Sequence, residues 1–115
     1  MTWDPNVTTV RIATRGRVTG REHTVTTWFA CAGGAVYVAA RGGLRSDWVR
    51  NVLAAPAVEL RRRRRSWTAA GALVDAAEEV RRAVEAFADK YARHPEVIGA
   101  WRADPPTFVR FRWTE

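Results

Sequence analysis

Arg41-Gly42-Gly43-Leu44-Arg45-Ser46-Asp47-Trp48-Val49-Arg50-Asn51 is the stretch in which a strand pattern gives way to a helical one. Two adjacent glycines allow a turn with exposed backbone N–H groups, Ser46 suits an N-cap, and Asp47 to Leu53 has the spacing of the helix that follows. An anion resting there would meet those N–H groups, the positive end of the helix dipole, and the side chains of Arg41 and Arg45. Trp48 and Asn51 lie one helical turn apart, which puts a flat aromatic face and an amide on the same side. A capped surface helix with solvated arginines explains the local sequence equally well.

Working outward, Ala35-Val36-Tyr37-Val38-Ala39 reads as a strand joined by the tight turn Ala32-Gly33-Gly34 to an earlier strand, Thr24 to Cys31. Val7 to Thr14 alternates Val10 and Ile12 against Thr9, Arg11 and Ala13, the period of a half-buried strand. Between these lies the basic loop Arg15–His23. If the Gly-Gly turn pairs its two strands, this loop and Arg41–Arg45 fall at the same end of the sheet, where they can clasp one ligand.

On the C-terminal side, the helix turns Val49, Val52 and Leu53 to the core and stops before Pro56. Val58-Glu59-Leu60 starts a strand, Arg61 to Arg65 is the exposed end of a hairpin, and Trp67 to Val74 returns. Asp75 to Ala92 is the clearest helix, with Asp75 and Glu78 as a capping box and Val80, Val84, Phe87 and Tyr91 as its apolar stripe. A short helix from Pro95 to Trp101 is broken by Asp104-Pro105-Pro106, and Thr107 to Trp113 is the last strand. Six strands with interspersed helices in 115 residues predict one α+β domain built as a small closed or partly closed barrel.

The net charge of +7 is almost wholly arginine, since Lys90 is the sole lysine, and it favours an anionic partner: a nucleic acid, a membrane surface or a small anionic ligand. No apolar run reaches the length of a membrane span, and Met1 to Pro5 lacks the features of a signal peptide, so the expected compartment is the cytoplasm. Cys31 stands alone, which rules out an intrachain disulfide, and is expected to be a small buried group. His23 and His94 lack ligand spacing, so no metal is expected. Five of the twelve acidic residues cluster on the long helix and read as a solvated face. No P-loop lysine, G-x-G-x-x-G or G-x-S-x-G motif is present. A chain with anion-binding loops, aromatic surface and little acid–base equipment leaves the chemistry to a bound cofactor.

Gly16-Arg17-Val18-Thr19-Gly20-Arg21-Glu22-His23-Thr24-Val25, then Val38-Ala39-Ala40-Arg41-Gly42-Gly43, then Asp47-Trp48-Val49-Arg50-Asn51-Val52 and Ala55-Pro56, resemble the deazaflavin-dependent nitroreductase and quinone reductase family. Those proteins are split β-barrels related to the flavin-reductase and pyridoxamine-phosphate-oxidase barrels, and many use coenzyme F420. The resemblance implies a six-stranded antiparallel split β-barrel with two to three helices over residues 1–115. It places Arg17, Thr19, Gly20, His23 and Arg41 on the anionic part of the cofactor, with Gly42, Gly43 and Ser46 in the same turn. Trp48 and Asn51 fall near the ring or its linker. It further implies hydride transfer to a small electron acceptor such as a quinone or nitroaromatic, with no side chain assigned a catalytic role, and it leaves a homodimer open. The alternatives are FMN in place of F420, a barrel that binds without turnover and, ranked lowest, a nucleic-acid binder using the arginine run and Trp67.

Overall fold

The computed structural model describes residues 7–114. They form one seven-stranded antiparallel sheet with three α-helices: β1 Thr9–Arg15, β2 Glu22–Trp28, β3 Ala30–Ala32, β4 Ala35–Ala40, α1 Asp47–Ala54, β5 Ala57–Arg62, β6 Arg65–Val74, α2 Ala77–Lys90, α3 Pro95–Ala103 and β7 Thr107–Trp113. The strand order is β2-β1-β5-β6-β7-β4-β3. Its first and last members are joined through Phe29 alone, so the two edges of the sheet meet at that residue and the sheet must curl into a half-barrel.

The expected strand Thr24 to Cys31 is therefore two strands, which is why seven are observed where six were predicted. Phe29 is buried and turns the chain from one edge to the other. Its N–H reaches Thr8 O at 3.3 Å. Tyr91, closing α2, shares its one hydroxyl proton between Phe29 O at 2.6 Å and Thr8 O at 3.0 Å, and accepts from Phe29 N at 3.2 Å. A corner that breaks both ladders thus has its backbone groups satisfied by one side chain. The β3–β4 turn uses Gly33 and Gly34 at φ 57° and 75°, the left-handed pair that a two-residue hairpin demands.

Two apolar clusters occupy the two faces of the curled sheet. The inner one gathers Val10, Ile12, Val38, Val49, Val52, Leu60 and Phe111. The outer one gathers Tyr37, Phe87, Tyr91, Ile98 and Phe108 beneath α2 and α3. β4 and β7 feed alternate residues to both, and each fully buried Phe or Leu contributes roughly 1.5–3 kcal/mol.

Several expectations are corrected. Leu53 is 46% exposed, because α1 turns its inner face through Val49, Val52 and the buried Asn51 instead. α2 begins at Ala77 with Ala76 as N-cap and no side-chain cap, so Asp75 and Glu78 form no capping box. The cause is β6, which runs to the buried Val74 and leaves Asp75 to the turn. Cys31 is exposed, since β3 points it away from the outer core. Glu79 departs from the solvated face and is buried, accepting from Tyr37 Oη at 2.8 Å and from Arg110 at 2.7 Å. Arg61 is held by Glu22 at 2.7 Å and Glu59 at 3.0 Å, so the freely solvated end of the arginine hairpin is Arg63 to Arg65. Trp67 is half-buried against the inner core with Trp113 6.0 Å away, which removes it as an open stacking platform. Met1 to Pro5, read above for targeting signals, lies outside the described residues.

Candidate functional site

The site lies where the register brings the basic loops together. β1 pairs with β2 from Thr9↔Trp28 to Arg15↔Glu22, so the loop at residues 16–21 closes that end of the sheet. β4 pairs with β7 up to Ala40↔Thr107, and β7 with β6 up to Val74↔Phe108, which sets Arg41 at the same end. β5 pairs with β1 as Arg11↔Arg61 and Ala13↔Glu59, so Arg62 to Arg65 lies at the opposite end, roughly 20 Å away along the strands. Of the arginine run, only Arg61 reaches toward the loop pocket, through Glu22, which lines it.

Residues 16–21 are a closed turn. Gly16 N donates to Arg21 O at 2.7 Å, Gly20 N to Gly16 O at 2.8 Å, and Arg21 N to Thr19 Oγ1 at 3.2 Å. Gly20 adopts φ 72°, which a side chain would strain. Thr19 is thereby engaged within its own loop. His23 is exposed at the start of β2 and its carbonyl accepts from Thr14 Oγ1 at 3.2 Å.

α1 anchors this loop. Asn51, 3% exposed, accepts from the Arg17 backbone N–H at 3.3 Å and the Arg17 guanidinium at 2.9 Å, while its amide donates to Thr14 Oγ1 at 3.3 Å. Arg17 also reaches Asp47 Oδ1 at 3.3 Å. Asn51 is thus a strut between α1 and the loop, and it lines a pocket of about 390 Å³ together with Arg17, Thr19, Arg21, His23 and Asp47.

On the other side of the α1 N-terminus lies a larger cleft of about 450 Å³. Arg41, Gly42, Ser46 and Trp48 form one wall, Val25 to Trp28 another, and Phe87, Val97 and Trp101 the third. Ser46 occupies the N-cap of α1 without a side-chain cap bond. Its Oγ lies 2.5 Å from where a Cβ on Gly42 would stand, so a side chain there would require Ser46 to rotate. Gly43 follows at φ 55°. Trp28 stacks on Tyr91 with ring centroids 4.5 Å apart and planes 8° from parallel, which fixes one wall of the cleft. Among its lining residues Arg41 is the only ionisable one. The site residues read from sequence therefore divide: Arg41, Gly42, Ser46 and Trp48 line the cleft, Arg17, Thr19, His23 and Asn51 line the neighbouring pocket, and Gly20 and Gly43 line neither.

Trp28, Phe87, Val97 and Trp101 were not among the sequence candidates. One signal was available for Trp28: it shares the exposed strand face with Thr24 and Thr26, where a large aromatic is out of place. The helical residues looked like core positions, and Phe87 is one as well.

Fold and site together define a split-barrel protein with an aromatic cleft and a cationic rim at one end of the sheet. The chain belongs to the F420H(2)-dependent quinone reductase family, whose model matches residues 3–105. No curated protein sequence matches it. Among solved structures, the F420-H2 dependent reductase FDR-A has 20% identity and a TM-score of 0.65, with 90% of this chain and 91% of that chain covered. A conserved hypothetical protein, Rv2991 from Mycobacterium tuberculosis, has 16% identity and a TM-score of 0.72, with 96% and 79% covered. HutZ, a heme storage protein from Vibrio cholerae, has 14% identity and a TM-score of 0.73, with 94% and 82% covered. These structural likenesses establish the fold alone. No helix among the described residues is long and apolar enough to cross a membrane, and no group of three metal-binding side chains occurs among them.

Proposed function

We propose that this chain is an F420-dependent reductase that holds the deazaflavin ring in the aromatic cleft and its anionic tail toward the loop at residues 16–21. The observation that carries the reading is the joint position of Trp48 and Arg41 in one cleft, opposite a Trp28 ring already locked by Tyr91. The cleft volume falls in the range of small-molecule sites, and its aromatic walls and single cation suit a flat ring beginning an anionic chain. From there the tail would cross the α1 N-terminus, where the helix dipole is positive, toward Arg17, Arg21 and His23.

When bound, the reduced deazaflavin supplies the hydride. The residues of the chain align and enclose: Trp28, Trp48 and Trp101 keep the ring space flat and dry, Arg41 sets its direction, and Asn51 keeps the loop closed on α1. With Arg41 as the ionisable group among the described lining residues, the cleft would position two reactants and leave the chemistry to them. A small planar acceptor, a quinone or nitroaromatic, would share the cleft.

Turnover of reduced F420 with menadione tests the reading, with reduced FMN assayed in parallel. Trp28→Ala is expected to lower the rate about 100-fold, as misalignment does. Binding of F420 without turnover of any acceptor would favour a carrier, and turnover with FMN alone would replace the cofactor.

A further inference from the structure

The hairpin tip at residues 62–65 lines neither the cleft nor the loop pocket. β5 and β6 pair to the end as Arg62↔Arg65, which leaves Arg63 and Arg64 as a two-residue turn. β7 pairs with β6 only as far as Trp113↔Ala69, so Arg65 stands about 13 Å beyond that pairing. Arg63, Arg64 and Arg65 are exposed there, and exposed Arg11 on β1 joins them by donating its guanidinium to Arg63 O at 2.6 Å. Among the described residues no carboxylate pairs with any of these four, whereas Arg61 is taken up by Glu22 and Glu59.

Arg63 carries a second mark. Its φ of 53° lies in the left-handed region, which glycine or asparagine adopts at little cost and a long side chain does not. The β3–β4 hairpin of the same chain meets that demand with Gly33 and Gly34. An arginine in the β5–β6 turn gives up conformational ease for a charge at the outermost point of the tip, and strain of this kind gathers where function requires it.

We infer that the tip binds the phosphate backbone of duplex DNA, with Arg11, Arg63, Arg64 and Arg65 each neutralising one phosphate. The surroundings of the cations separate the anionic partners. A protein interface has an apolar or aromatic centre and a bilayer takes apolar tips, yet none of the exposed large apolar side chains among the described residues belongs to β1, β5 or β6. Single strands are held by base stacking, and Trp67 and Trp113 pack against the inner core instead. A duplex asks for cations alone; arginine forks match its phosphates, and a two-stranded ribbon fits its major groove. The surface does not depend on the reductase reading, since it lies at the end of the sheet away from the cleft.

The test is fluorescence anisotropy of a short labelled duplex of mixed sequence, titrated with the full chain without cofactor across a range of salt. Four neutralised phosphates predict a fall of log K with log salt of slope about −4. Arg63→Asn with Arg64→Asn should reduce that slope by about 2 and weaken binding on the order of tenfold. The thermal midpoint of this variant should not fall, because asparagine suits the φ of residue 63. Arg63→Lys with Arg64→Lys should keep the slope, and Arg21→Ser with Arg45→Ser, at the other end of the sheet, should leave affinity and slope unaltered. No binding at low salt, tighter binding of the corresponding single strand, or equal affinity for polyglutamate at matched charge would overturn the proposal. So would binding that survives the Arg63 and Arg64 changes and is lost with those at Arg21 and Arg45. Titration of the Arg63→Asn, Arg64→Asn chain with F420 should match the wild type; a weaker response would assign the tip to the cofactor and overturn its role as a separate surface.

Discussion

Arg17 and Asn51 share one oxygen: Asn51 Oδ1 accepts both the backbone N–H and the guanidinium of Arg17, at 3.3 and 2.9 Å, although the residues lie 34 positions apart. This contact joins the β1–β2 loop to the helix that follows the glycine turn. It makes loop position a property of α1. Asn51→Ala removes both bonds and the one to Thr14, leaving the part-buried Arg17 N–H without its partner while Thr14 keeps His23 O and the Arg17 guanidinium keeps Asp47. A loss of about 1–3 kcal/mol in chemical denaturation is expected, with weaker binding of anionic ligands in the loop pocket. Unchanged stability would show that the loop holds itself.

Tyr91→Phe keeps the ring stacked on Trp28 and removes only the hydroxyl shared by Phe29 and Thr8. A loss of about 1–2 kcal/mol is expected. Burial, acting over the opposing bond to the Phe29 backbone, raises the Tyr91 hydroxyl pKa to about 12 from an ordinary 10. The folded state therefore holds its proton longer than the unfolded chain. The stability due to Tyr91 is complete below pH 10 and declines as pH rises toward 12. Denaturation midpoints across that window should fall more steeply in the wild type than in the variant.

Glu79 reports on the acid side. Burial alone would raise its pKa, but the Arg110 guanidinium and the Tyr37 hydroxyl outweigh that and hold it below the ordinary 4.5. Its contribution is thus present above pH 4.5 and is lost as pH falls through the lower folded value. Glu79→Gln should cost about 1–3 kcal/mol at neutral pH and flatten the acid limb of the stability profile. An acid limb identical to the wild type would assign it to other carboxylates.

Gly71 lies where α1 rests on the sheet. A Cβ there would stand 2.5 Å from Val52 Cγ1 and 2.9 Å from the Phe111 ring, both fully buried. Gly71→Ala should destabilise by about 1–3 kcal/mol through overpacking. A thermal midpoint equal to the wild type would mean that α1 can shift outward freely.

Local pattern carried much of this fold. Alternation marked β1, an apolar run marked β4, paired glycines marked the β3–β4 turn, and the glycine turn before Asp47 marked α1. The break at Phe29 left no such mark, because residues 24–31 are rich enough in β-branched and aromatic residues to pass as one strand. Its cause is a long-range bond from Tyr91, 62 positions away. Glu79 was hidden for a similar reason: a carboxylate in the first turn of a helix looks solvated until β7 supplies Arg110. The cationic half of the candidate site was legible as motifs. Its aromatic wall was not, since Trp101 and Phe87 reach it only through the packing of α2 and α3.

The central claim is that the cleft beside Arg41 and Trp48 takes the deazaflavin. Titration of the purified chain with coenzyme F420, followed by cofactor fluorescence with FMN in parallel, tests it most directly. The account predicts saturable F420 binding that weakens about tenfold or more when Arg41 is changed to Ala, as expected for loss of a charge-assisted contact. F420 binding that is absent, or identical in wild type and Arg41→Ala, would contradict it.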